Sequence, residues 1–133
     1  MRFMLMMHAP RGATGDYQVS TWSPDDFTAH IQFMHDLNRD LVGAGEFVAG
    51  EGLAAPGEAR VVRYAKGRAP AVTDGPFPET KEFLAGFWIV DVSDAARAHE
   101  IAARVSSAPG PGGVPLVIPV EVRQVMSAPS AGD

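Results

Sequence analysis

The 133-residue chain contains no cysteine. Disulfides, thiolate metal sites and cysteine nucleophiles are therefore excluded, and the core must hold by packing alone. There is no run of about 18 apolar residues long enough to span a bilayer. The apolar stretch Met1 to Met7 is short and lacks the small-residue cleavage site of a signal peptide. A cytoplasmic protein with no membrane partner is expected. Cations are also few: 11 Lys and Arg against 16 Asp and Glu give a net charge of −5, without the basic stripe that phosphate backbones require. Nucleic acid is not an expected partner. Missing too are a G-x-x-x-x-G-K loop, a G-x-G-x-x-G turn after a strand, an H-E-x-x-H pair and a G-x-S-x-G elbow. Neither a metal nor a cofactor is expected, and any catalysis is proton transfer in an apolar pocket. What the chain does have, 46% hydrophobic and 20% charged residues, is the composition of one globular domain.

The first strand, Arg2 to His8, carries apolar residues on both alternating faces. The segment Ala9 to Ser23 is long for a bare connection, and its Tyr17 and Trp22 are large amphipathic groups suited to covering a ligand. Ser23-Pro24-Asp25-Asp26 opens a helix that runs to about Val42 and stops at Gly43 and Gly45. Strands are expected over Glu46 to Leu53 and Ala59 to Ala65, with a short extended piece at Ala71 to Thr73. Asp74-Gly75-Pro76-Phe77-Pro78 reads as a rigid turn, followed by one helical turn at Glu79 to Glu82. Leu84 to Val92 is a strand greasy on both faces, Ser93 caps a helix to about Val105, and Leu116 to Met126 forms the last strand. Residues 1–126 make one domain and 127–133 a frayed tail. The order βαβ, inserted hairpin, βαβ is that of an α+β ferredoxin-like sandwich with a mainly antiparallel sheet. Two helices cover one sheet face only, so the other requires a second copy: a homodimer is expected.

Placing the first helix at about 100° per residue groups Phe27, His30, Ile31, Met34, Leu37, Asn38 and Leu41 on its inner side. His30 is the leading candidate for proton transfer, given a carboxylate partner; the plainer reading is a core histidine satisfied by a backbone carbonyl. Asp74 has two readings as well, holding its own turn or orienting His30. His8, at a strand end, lies at a pocket mouth or is inert, whereas His35 and His99 have no supporting feature. Glu51, between Gly50 and Gly52, marks either a ligand's close approach or a bulge. Tyr17, Trp22, Glu51, His8 and Asn38 are the candidate ligand contacts, and Glu79 and Lys81 read as a surface pair.

The stretch Val72-Thr73-Asp74-Gly75-Pro76-Phe77-Pro78-Glu79-Thr80-Lys81-Glu82 resembles the signature of the DGPF proteins of the YCII-related superfamily. Gly50-Glu51-Gly52-Leu53, Ala85-Gly86-Phe87-Trp88 and Val120 to Met126 agree with it in order and spacing, and only Pro78 departs, standing where Ala is usual. The resemblance implies a dimeric α/β-barrel arrangement of ferredoxin-like subunits. Some relatives are proposed to use a His/Asp pair, one YCII-type member is a dehydrochlorinase of aromatic degradation, and DGPF members often accompany extracytoplasmic-function sigma factors. By motif position the resemblance carries over Asp74 alone. Two functions follow as expectations: acid–base elimination or isomerisation of a small organic molecule by His30 with Asp74, or a non-catalytic ligand-sensing or regulatory module.

Overall fold

A computed structural model describes residues 1–11, 18–75 and 81–127. Strand β1 (Arg2–Pro10) buries Phe3, Leu5, Met7 and Ala9 and leaves Met4, Met6 and His8 half-buried, so alternation along the strand separates an inner from an outer face. Helix α1 (Pro24–Gly43) starts where expected. The Ser23 side chain accepts the Asp26 amide at 3.2 Å, Pro24 supplies its fixed φ, and Asp25 and Asp26 meet the positive end of the helix dipole. Its buried residues are His30, Leu37 and Leu41, while Phe27 is 44% exposed. The buried stripe of α1 therefore begins at His30, one turn past Phe27.

The remaining elements are β2 (Phe47–Gly52), β3 (Arg60–Arg63), β4 (Ala71–Asp74), β5 (Glu82–Asp91), α2 (Ala95–Ser106) and β6 (Val120–Gln124). The main sheet has the order β2-β5-β1-β6 with every pair antiparallel, an α+β arrangement consistent with the ferredoxin-like fold. One core joins Phe3, Leu5, Met7, Trp88 and Val90 of the sheet to Leu37 and Leu41 of α1 and Ile101 and Val105 of α2. Leu5 pairs with Trp88 and Phe3 with Val90 on this inner face, whereas Met4–Ile89 and Met6–Phe87 pair on the outer face and stay outside the core. Arg97 clamps α2 to the start of β2 with two bonds to the Glu46 carboxylate, 2.9 and 2.8 Å.

Three local expectations are corrected. The cap of α2 is Asp94, whose carboxylate accepts the Arg97 amide at 2.9 Å, not Ser93. Glu82 opens β5 and so does not close a helical turn; Glu79 and Thr80 lie outside the described residues. The last strand is shorter than Leu116 to Met126. The amides of Leu116 and Val117 bond back to Ala108 and Ser106 at the end of α2, and Val117 sits at φ 55°, so sheet pairing resumes only past Pro119. The expected inserted hairpin is present as β3 and β4, which form a two-stranded sheet of their own, separate from the main one.

Candidate functional site

The inner face of the sheet does not fill the space under α1 near Trp88. A cavity of about 290 Å³ remains there, between His30, Ile31, Met34 and Asn38 of α1, the glycine-rich end of β2, Ala85, Gly86 and Trp88 of β5, Met7 and Val19. Its shape depends on two glycines. A Cβ at Gly50 would stand 3.0 Å from Trp88 Cδ1 and 3.2 Å from the Phe47 ring, and one at Gly86 would stand 3.0 Å from the Glu51 carbonyl oxygen. Both contacts are tighter than ordinary side-chain packing, so glycine here lets the indole and the β2 backbone approach without a shift of their neighbours. The bulge considered for Glu51 falls between Phe47 and Ala49 instead. The indole is then fixed by Asn38, whose Oδ1 accepts the Trp88 Nε1–H at 2.8 Å.

His30 is 2% exposed. Its Nδ1 lies 2.9 Å from the Pro109 carbonyl oxygen. A carbonyl only accepts, so Nδ1 carries the proton and donates, which leaves Nε2 as the acceptor end of the neutral ring. Burial lowers the imidazole's pKa below its ordinary value, and the bond to Pro109 opposes that shift only in part. The Trp22 ring packs against the imidazole edge to face, with centroids 5.2 Å apart. The result is a neutral imidazole in an apolar pocket, a group able to accept a hydrogen bond or a proton at Nε2.

The other predicted residues distribute unevenly. Asn38 lines the cavity and Glu51, itself exposed, stands at its rim. Trp22 reaches the site through His30. Tyr17 lies outside the described residues, as do Pro76 to Thr80 of the turn motif. His8 points to the outer face, where Nε2 meets Glu121 Oε1 at 2.9 Å, and its neighbour Met7 takes the place in the cavity. Asp74 ends β4 with its side chain 96% exposed and 3.5 Å from Arg60, and it lines no part of the His30 cavity. The Gly75 amide bonds to the Ala59 carbonyl rather than to Asp74. Within one subunit the structure therefore does not bring Asp74 to His30; the backbone of Pro109 orients the ring instead. Trp88, Met34 and Pro109 were missed as site residues. The flanking Gly50 and Gly86 are the sequence signal for Trp88, whereas nothing in the sequence marks Pro109. Among the described residues, no three His, Asp or Glu side chains gather where they could hold a metal ion.

The model of the YCII-related domain matches residues 1–117, and the chain belongs to that family. It is similar to an uncharacterised protein of Rhizobium meliloti (strain 1021), 29% identical over 103 residues, which cover 77% of this chain and 82% of that protein. No helix among the described residues is long and apolar enough to cross a membrane.

Proposed function

We propose that this YCII-related chain, of the DGPF type by its Val72 to Glu82 stretch, is a cytoplasmic homodimer of the α/β-barrel kind that binds a small, largely apolar organic molecule in the His30 cavity. The observation that carries the reading is the buried imidazole itself: its tautomer is set by Pro109 and its charge suppressed by burial, inside a cavity walled by Trp88, Met34 and Ile31. A neutral Nε2 acceptor in such a pocket supports proton abstraction from a bound carbon acid without a cofactor, the step common to elimination and isomerisation. Pro109, not Asp74, is the ring's orienting partner in this scheme.

A second reading, a ligand-sensing module that serves a regulatory partner such as a sigma factor, is favoured by one specific observation. The hydrogen-bond partner of His30 named above is a main-chain carbonyl, and Asp74 is paired to Arg60. Both readings share the cavity, and one experiment separates them. The chain's two tryptophans, Trp22 and Trp88, both border the site, so intrinsic fluorescence reports occupancy directly. Screening small aromatics such as phenol and indole by fluorescence, followed by solvent-deuterium exchange of any carbon acid that binds, gives exchange lost in His30→Gln if the site is catalytic. Binding without exchange supports the sensor. Absence of any fluorescence response across the panel would overturn the cavity reading.

A further inference from the structure

A second cavity, of about 470 Å³, adjoins the His30 cavity at the start of β5, walled by Pro10, Leu53, Ala55, Pro56 and Phe83. Three parts of the chain carry the junction. On β5, Phe83 and Ala85 are two residues apart and so share a face of the strand; Ala85 lines the His30 cavity and Phe83 the second one. Phe83 pairs with Ala9, which is buried on the inner face of β1, so both cavities lie on that face of the sheet. Where β2 ends, the consecutive residues Gly52 and Leu53 divide between the two cavities in the same way. The Leu53 amide donates to the Ala85 carbonyl at 2.9 Å, which pins the crossing to β5. Val19 lines both cavities from the opposite side. It opens the single 3-10 turn Val19–Thr21, and the Trp22 amide closes that turn on the Val19 carbonyl at 3.2 Å. One short turn thus sets Val19 at the junction and Trp22 against His30.

We propose that the two cavities are subsites of one ligand site. The reacting ring lies in the His30 cavity, and an uncharged apolar substituent, an alkyl chain or a second ring, passes Val19 into the compartment over Phe83 and Leu53. Volume and charge both support this. At about 290 Å³ the His30 cavity alone stands at the bottom of the range of roughly 300–1,000 Å³ that small-molecule sites occupy, and its neighbour supplies the missing room. No charged side chain lines the second compartment among the described residues. An ionised substituent would lose hydration there without gaining a counter-charge, whereas an apolar one gains by leaving water. The substrate class is therefore an aromatic with an apolar tail rather than a bare ring, and Val19, Leu53 and Phe83 determine specificity for the tail. The inference rests on the cavity reading given above and specifies its ligand.

Three probes titrated by tryptophan fluorescence into the full chain test the second subsite: phenol, 4-butylphenol, and 4-(4-hydroxyphenyl)butanoate, whose tail has the same number of carbons but ends in a carboxylate. In the wild type 4-butylphenol is expected to bind about tenfold or more tighter than phenol, and the butanoate to lose most of that gain. The gain is read as a ratio within each protein, so a general change in affinity does not enter it. Leu53→Glu and Ala55→Glu, both at exposed positions, each put a carboxylate in the tail's path and should remove most of the gain, with far-UV circular dichroism unchanged. Val42→Glu, at an exposed apolar residue in the last turn of α1, should retain it. Equal affinity for phenol and 4-butylphenol, a full gain for the butanoate, a gain that survives both Leu53→Glu and Ala55→Glu, or one that Val42→Glu also removes would each overturn the proposal. In all four cases phenol binding leaves the cavity reading standing. A wild type that responds to none of the three probes overturns both.

Discussion

The indole of Trp22 stands edge-on to the imidazole of His30, with ring centroids 5.2 Å apart and planes 87° from parallel. The contact shields one side of the imidazole while Pro109 holds it by Nδ1. It also couples a fluorophore to the one buried polar side chain among the described residues.

That coupling makes the titration of His30 measurable. Burial holds its pKa below the ordinary histidine value of about 6.5. Between that value and the lower folded one, the unfolded chain binds a proton that the folded chain does not, so stability falls as pH drops through this window and is unaffected by this group above it. Tryptophan emission should be quenched on imidazolium formation at a pH below the ordinary histidine range. Both the quench and the stability slope should vanish in His30→Gln. Histidine NMR showing ordinary titration of His30 would contradict the burial argument.

Gly50→Ala places a methyl 3.0 Å from Trp88 Cδ1 and 3.2 Å from the Phe47 ring. Relief requires the indole to move into the cavity, at a cost of about 1–3 kcal/mol. Urea unfolding should show the destabilisation, and fluorescence titration should show weaker uptake of any ligand that binds the wild type.

Asn38→Leu removes the acceptor of the Trp88 N–H, leaving an indole donor unsatisfied where Trp88 is 7% exposed. The expected loss is about 1–3 kcal/mol in denaturant unfolding. A neutral result would mean that water reaches the indole nitrogen.

Asp94→Ala deletes the N-cap of α2 and should cost about 0.5–2 kcal/mol, whereas Ser93→Ala should change stability little. Thermal melts of the pair distinguish the two residues directly.

Local chemistry was legible in the sequence and long-range partnership was not. The Ser23-Pro24-Asp25-Asp26 start of α1 and the two-faced apolar pattern of β1 depend on neighbours a few residues away, and both were readable. His30 and Asn38 could be set on the inner side of α1 by helical spacing alone. The partners that give them meaning could not, because Pro109 is 79 residues from His30 and Trp88 is 50 residues from Asn38. Phe27 misled because periodicity gives a side of the helix but not which of its turns the rest of the chain covers. Ser93 misled for a simpler reason: it and Asp94 are equally good caps by type, and only the backbone path decides which amide lies in reach. The join of His30 to Asp74 rested on residue types suited to a dyad, and the hairpin carries that carboxylate out to Arg60 instead.

The acceptor that fixes the His30 ring belongs to the peptide backbone at Pro109, and this changes what genetics can do to the site. A carboxylate orienter can be deleted by one codon change, but no substitution at position 109 removes a carbonyl. Saturation of that codon should therefore leave the ring's tautomer intact in every variant whose Ser106-to-Val120 path survives. Insertions or deletions that reroute this segment should take that carbonyl out of reach of Nδ1.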